Sequence, residues 1–306
     1  MNGVGIEGIC VCLPPNCVAN DEQTAKATGI IERRIANPGV SALDLCIKAA
    51  DRVIADTGIK KEDISAVIAV SFTQRYRMPC SAAEAQARLG LSRDIMAFDV
   101  MLACSGYGYG LFLARTIARD TKGKVLLLDG DRQSTFVKTE DSATSPLFSD
   151  GGSATIVGVN GDEDEWSFKF ATDGEKGDAL RLEHDGAIKM DGFGVFKFVA
   201  SDVVNFLRQF MSDNGVEGGA GLDYFIPHQA NVYMVKQLAK SLNIPEAKLG
   251  ISADRFGNLS SASIPATIAH CKATGRVLIA GFGGGLSISA ALITISNECK
   301  LSVING

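Results

Sequence analysis

Four short stretches of this 306-residue chain hold residue types that can make and break bonds at a carbonyl carbon. The first is centred on Cys104, which follows the apolar run Ile95 to Met101 and precedes Ser105-Gly106-Tyr107-Gly108-Tyr109-Gly110-Leu111, a helix-like stretch. A thiol at a strand-to-helix turn lies against unpaired backbone N–H groups and the positive end of the helix dipole. That placement is expected to lower its pKa below the usual ~8.5 and to enrich the nucleophilic thiolate. Taken alone, Cys104 reads better as a buried structural cysteine than as a nucleophile. His228 ends an apolar strand in Phe225-Ile226-Pro227-His228-Gln229-Ala230-Asn231. An imidazole there can move a proton, or can be a packed side chain with a satisfied hydrogen bond. Asn258 follows Gly257 in the small-residue loop Leu259-Ser260-Ser261-Ala262, where a carboxamide is a neutral donor or simply a turn residue or cap. The fourth stretch, Gly281-Phe282-Gly283-Gly284-Gly285-Leu286, lies between two apolar strands. No helix follows it, which argues against a dinucleotide-binding turn.

The elements that must position these residues alternate between strand and helix. Ile64 to Phe72, Ile95 to Met101 and Lys124 to Leu128 read as buried strands. Between them Ser41 to Thr57 places Leu43, Ile47, Ala50 and Ile54 on one face, with Ser41 and Asp44 as a cap and Gly58 as the stop. A short helix spans Ser81 to Leu89 and ends at Gly90. The later part repeats the plan. An amphipathic helix spans about Phe196 to Met211, then a strand Leu222 to Ile226, a helix from Asn231, a helix from about Ala262 to Cys271, and a strand Arg276 to Ala280. The strand Leu286 to Ile295 is expected to close the chain. Gly123-Lys124-Val125-Leu126-Leu127-Leu128 and Gly275-Arg276-Val277-Leu278-Ile279-Ala280 hold comparable places, an echo of internal duplication. The acidic stretch Asp162 to Glu165 marks the junction, dividing the chain into 1–161 with the cysteine and 162–306 with the histidine and asparagine. This is an α/β pattern of helix-covered sheets.

Composition narrows the functional classes. A net charge of −5 without a basic block gives no footprint for nucleic acid. The N-terminus lacks the pattern of a secretory signal, and no run of eighteen apolar residues suggests a membrane span. Eight cysteines without such a signal fit a reduced, cytoplasmic protein. Cys10, Cys12 and Cys17 have no partner at zinc-finger spacing and read as small apolar strand residues, so no metal and no cofactor are expected. His184 and His270 read as structural or surface residues.

Taken together and in this order, Ala103-Cys104-Ser105-Gly106, Pro227-His228-Gln229-Ala230-Asn231, Gly257-Asn258 and Gly281-Phe282-Gly283-Gly284-Gly285 resemble the signatures of the type III β-ketoacyl-acyl-carrier-protein synthases of the thiolase superfamily. Phe148-Ser149-Asp150-Gly151-Gly152 and Thr28-Gly29-Ile30 also match that family, and the likeness covers essentially the whole chain. The resemblance implies a thiolase-like fold, with duplicated βαβαβαββ halves forming five α-β-α-β-α layers. It implies a fatty-acid-type condensation in which Cys104 carries the acyl primer. Neutral His228 and the amide of Asn258 are each implied to donate a hydrogen bond to the enolate oxygen formed by decarboxylation of a malonyl thioester on acyl carrier protein. The amides of Cys104 and Gly284 are implied as the oxyanion hole. Asn231 and Thr28 fall at substrate-binding places. Lys197, Arg208, Lys236 and Lys240 are candidates for docking the acidic carrier, and Met78, before Pro79, for a contact reaching the partner's acyl pocket in a homodimer.

The chain departs from that family where acyl-CoA-accepting relatives carry a tryptophan and arginines against the adenine. Here Ala27 and Ser142 stand at the arginine-like places, and the only tryptophan is Trp166. This favours a primer delivered on a carrier protein or as an unusual thioester, and a specialised pathway. Rival readings remain: transfer of the acyl group to an alcohol or amine without decarboxylation, and a non-catalytic subunit that only binds carrier protein. A nicotinamide oxidoreductase is disfavoured, because Leu111 stands where Gly106-Tyr107-Gly108 needs its third glycine. A serine hydrolase is disfavoured because the chain has no Gly-x-Ser-x-Gly.

Overall fold

The computed structural model describes residues 3–159, 166–182 and 186–306. The expected junction at Asp162 to Glu165, and His184, lie outside them. Up to residue 159 the chain runs β1 (Val4–Leu13), β2 (Asn16–Ala19), α1 (Glu22–Thr28), β3 (Glu32–Ile35), α2 (Ala42–Thr57), β4 (Ile64–Val70), α3 (Ser81–Arg88), β5 (Met96–Val100), α4 (Gly106–Thr121), β6 (Lys124–Arg132) and β7 (Asp150–Val159). The cap read at Ser41 is a reciprocal one: Ser41 accepts from the Asp44 amide while Asp44 accepts from the Ser41 amide. Such a cap stabilises a helix by about 1 kcal/mol, and Gly58 ends α2 in the left-handed conformation.

From residue 166 follow β8 (Ser167–Thr172), β9 (Leu180–Leu182), β10 (Ile188–Met190), α5 (Gly192–Phe198), α6 (Val204–Asp213), β11 (Tyr224–Pro227), α7 (Val232–Ser241), α8 (Ala253–Phe256), α9 (Ser263–Cys271), β12 (Gly275–Gly283), β13 (Ser287–Ile295) and β14 (Lys300–Asn305). The helix expected from Phe196 begins earlier, at Gly192, because Asp191 accepts from the amides of Phe193 and Gly194. A π-helical turn, Val199–Val203, joins α5 to α6.

A six-stranded sheet has the order β14-β1-β7-β6-β4-β5, and a four-stranded sheet the order β11-β12-β13-β8. β13 therefore does not close the chain. β14 crosses over and pairs in parallel with β1, a long-range pairing that local periodicity does not encode. Both central helices, α4 (through Tyr107, Leu111, Ala114 and Ala118) and α9 (through Ile264, Ala266, Ile268 and Ala269), share one core with the inner faces of both sheets. The outer face of the large sheet is covered by α2 and α3, through residues such as Leu45, Val53 and Ala85. The outer face of the small sheet is covered by α6 and α7, through residues such as Leu207 and Leu238. These are the five layers of a thiolase-like fold. The sequence echo is also real in space, since α4 leads into β6 and α9 into β12, each then pairing antiparallel with the next strand.

Candidate active site

The turn between β5 and α4 carries Cys104 two residues ahead of the helix, with Ser105 at its N-cap. β12 and the glycines after it lie directly against this turn. A Cβ on Gly281 would stand 2.8 Å from Ser105 Cα, and one on Gly283 only 2.8 Å from Cys104 Cβ and 3.2 Å from its Sγ. No side chain fits at either place without moving the Cys104 turn. Ser289 Oγ adds a tie by donating to the Ser105 carbonyl at 2.8 Å.

Cys104 is nearly buried, yet it lines a cavity of about 470 Å³ together with His228, Asn258, Phe282 and Gly283. The residues singled out from sequence therefore converge on one chamber. Asn231 and Thr28 line it too, and Thr28 Oγ1 is already donating to the Thr24 carbonyl at 2.8 Å. Gly283 lines the cavity beside the sulfur, and Gly284 follows it in the chain. Most of the wall is apolar, from Phe148, Leu180, Phe196, Phe198, Met234 and Phe282.

The thiol does not match the low pKa expected from its turn. Burial pushes Cys104 up to about 12; the Ser260 hydroxyl lowers it, and Asp131 and Asp129 add to the rise. Desolvation in a site whose nearest charges are carboxyls outweighs the helix end. With its pKa raised in this way the Cys104 side chain is a thiol at neutral pH.

His228 lines the same cavity as an uncharged, weakly basic ring. Burial lowers it to about 4, so the ring is neutral at pH 7. Its Nδ1 lies 3.1 Å from the Ser260 carbonyl and 2.9 Å from Ser263 Oγ. A carbonyl can only accept, which places the ring proton on Nδ1 and leaves Nε2 with a free lone pair. The neutral ring is thus a base toward the cavity. Asn258 has the opposite polarity. Its Oδ1 accepts from the Ser260 amide at 2.9 Å, leaving the Nδ2 donor for the cavity. The loop around it is pinned by Asn258 N donating to Leu147 O and by Gln133 Nε2 donating to Asn258 O.

Sequence reasoning assigned no role to Ser260, Asp129 or Asp131. Ser260 is fully buried, adopts a left-handed backbone at φ 56°, and touches all three candidate catalytic residues. Nothing in a run of small residues distinguishes it. The candidate docking residues and Met78 lie on the surface. Lys197 and Lys240 are exposed on α5 and α7. Arg208 donates to the Ser241 carbonyl at 2.9 Å, and Lys236 pairs with Glu246 at 2.6 Å. Met78 is 86% exposed. His270 packs edge-on against Phe256. Cys10 and Cys12 are buried in β1, whereas Cys17 is exposed. Among the described residues, no group of three or more His, Cys, Asp or Glu is placed to hold a metal ion. No described helix is long and apolar enough to cross a membrane.

Comparison with known proteins agrees with this geometry. The family model for 3-oxoacyl-[acyl-carrier-protein] synthase III matches residues 98–174, and that family's C-terminal model matches residues 213–295. The β-ketoacyl-[acyl-carrier-protein] synthase III of Chlamydia caviae is 34% identical, with 90% of this chain and 88% of the relative covered. That of Staphylococcus haemolyticus is 32% identical over 95% of this chain and 98% of its own. The crystal structure of a 3-oxoacyl-(acyl-carrier protein) synthase from Burkholderia xenovorans superposes with a TM-score of 0.94 at 29% identity, covering 99% of this chain and 97% of the other.

Proposed function

The chain belongs to the 3-oxoacyl-[acyl-carrier-protein] synthase III family, and on that premise we propose that Cys104, His228 and Asn258 carry out a decarboxylative condensation of an acyl primer with malonyl-acyl carrier protein. The observation that carries the assignment is the shared chamber, in which a thiol, a basic imidazole nitrogen and a carboxamide donor meet.

In the first half-reaction Cys104 Sγ attacks the primer thioester, and its proton passes through His228 Nε2 to the departing thiolate. The acyl group remains on the sulfur, and the former carrier leaves as a thiol. The amides of Cys104 and Gly284 are the proposed donors to the tetrahedral oxyanion, a role worth ~10²–10³ in rate per donor. In the second half-reaction the malonyl thioester loses carbon dioxide. Asn258 Nδ2 donates to the resulting enolate oxygen, a role that an ionised carboxylate at the same place does not fill. The enolate carbon attacks the acyl carbon and expels the Cys104 thiolate, which regains a proton. One proton is consumed per turnover, matching the charge of the carboxylate lost. His228 in its neutral form does not donate from Nε2, so Asn258 is the neutral donor of the pair.

The finer features follow the same reading. Ala27 and Ser142 line the cavity, and no lysine or arginine among the described residues does, which supports a primer carried by a protein-bound pantetheine and a specialised cytoplasmic pathway. β5 is an edge strand, and Met96, Met101 and Met78 near it are exposed. That surface supports a homodimer with Met78 reaching the partner. Lys197, Arg208, Lys236 and Lys240 are the proposed carrier-docking charges, and Asn231 and Thr28 the substrate contacts. Intact-mass analysis after incubation with acyl-carrier protein is expected to show an acyl adduct on the wild type and none on Cys104→Ala. Carbon dioxide release with malonyl-carrier then separates condensation from transfer to an alcohol or amine. An adduct without carbon dioxide release would sink the condensation.

A further inference from the structure

Strand β6 has an inner row that starts apolar and ends acidic. Val125 and Leu127 face the central helices, whereas Leu126 and Leu128 face the outer ones. With a side-chain period of two, Asp129 and Asp131 continue the inner row. Asp129 is fully buried. Its Oδ1 lies 2.5 Å from Ser261 Oγ, and its Oδ2 has no hydrogen-bond partner. Ser153 Oγ, on β7, donates to the Asp129 carbonyl at 3.0 Å and fixes the residue in the sheet. The ionisable groups that act on Asp129 or feel its charge are Asp131 on the same strand, Tyr107 on α4, Cys104 before α4 and Cys46 on α2. None of them is a cation. An ionised carboxylate with one bare oxygen and no counter-charge is costly in a core, and a neutral carboxyl is far less so. Burial, with Asp131 adding to it, pushes this carboxyl well above its ordinary range, and the Ser261 bond opposes the rise.

Ser261 belongs to a segment on which the chemistry depends. The residue before it, Ser260, donates its amide to Asn258 Oδ1 at 2.9 Å, and its carbonyl lies 3.1 Å from His228 Nδ1. Two residues after it, Ser263 Oγ lies 2.9 Å from the same nitrogen. Ser260 is held at φ 56°, a left-handed backbone that a residue with a Cβ keeps only where its surroundings fix it. The Asn258 end of the segment is fixed by its bonds to Gln133 and Leu147. The Ser261 end is tied to the large sheet through Asp129. From these contacts we propose that Asp129 is a positioning residue for the condensation: as an uncharged carboxyl bonded to Ser261, it holds the Ser260 backbone where that backbone orients Asn258 and the ring proton of His228.

The proposal rests on Asn258 and His228 serving the condensation, so its test has two readouts. One is kcat and KM for carbon dioxide release from malonyl-carrier by the acylated enzyme. The other needs no substrate: hydrogen exchange of the His228 Nδ1 proton, followed by NMR of histidine-labelled protein and identified by its absence in His228→Asn. Ser261→Ala breaks the tie and is expected to lower kcat about tenfold at unchanged KM and to speed exchange by a similar factor, the worth of one buried hydrogen bond. Asp129→Ala is expected to do the same. Asp129→Asn turns an N–H toward Ser261 Oγ and carries no charge, so both readouts stay within about twofold of wild type. Asp129→Asn falling as far as Ser261→Ala, or wild-type exchange in Ser261→Ala or Asp129→Ala, overturns the proposal. Faster exchange throughout the core would mark lost stability instead of lost position, and overturns it too. If wild type releases no carbon dioxide, the condensation fails, and the exchange rates still decide whether Asp129 holds the ring.

Discussion

The turn before α4 and the turn before α9 hold equivalent places in the two related parts of the molecule, and their chemistry has diverged. Both precede a helix packed between the two sheets. The α4 turn supplies a thiol, and the strand behind it reaches the thiol only because Gly281 and Gly283 carry no side chain. The α9 turn supplies no nucleophile. It supplies Asn258, the carbonyl that fixes the His228 tautomer, and the hydroxyl beside the sulfur. On the proposed mechanism the first turn holds the acyl group and the second answers the charge that develops on the enolate. In that mechanism a duplicated scaffold brings two half-reactions to one chamber, with Cys104 common to both.

Replacing Asn258 alone is expected to remove decarboxylation and spare acylation. Asn258→Asp should lower carbon dioxide release from malonyl-carrier by ~10²–10³, since a carboxylate faces the enolate instead of a donor. Acyl-Cys104 formation, read by intact mass, should fall less than about tenfold. Equal loss of both steps would show the turns to be inseparable.

A second prediction sharpens the assignment of His228. Its folded ring titrates near 4 instead of 6.5, so its contribution to stability is complete above pH 6.5 and is lost as pH falls toward 4. The difference amounts to about 3 kcal/mol. The stability of wild type relative to His228→Asn, from urea unfolding at several pH values, should decline by that order between pH 6.5 and 4. A flat difference would mean that the ring is not held neutral. Asp131 works in the other direction, because burial raises it to about 6 and so favours the folded state as pH falls. Taking the difference between variants separates the two.

The smallest effects belong to the outer helices of the small sheet, which have no nucleophile to protect and are proposed to receive the carrier. Lys197→Glu should raise KM for malonyl-carrier several-fold at low salt with little change in kcat. Lys236→Gln should change it by less than about twofold, because Lys236 is already paired with Glu246. Equal effects would move the docking surface toward α7.

Which residues meet at the candidate site was largely legible, because residue type and local order carry it. A cysteine at a strand-to-helix turn, a histidine at the end of a strand and an asparagine after glycine are local patterns, and local patterns survive without knowledge of what packs against them. The caps of α2 and the periodicity of its buried face were readable for the same reason. What failed were quantities set by distant neighbours. The Cys104 thiol was expected to be acidic from its helix, whereas burial next to two acids from β6 makes it the reverse. The last strand was placed at the end of β13, whereas β14 returns to the other sheet. The donor expected of neutral His228 became a base because a carbonyl thirty-two residues away holds its proton. Sequence by itself determined which chemical groups the chain owns and the helices and strands that present them. Desolvation, tautomer and strand partner depend on atoms brought together across the chain, and only the tertiary packing decided those.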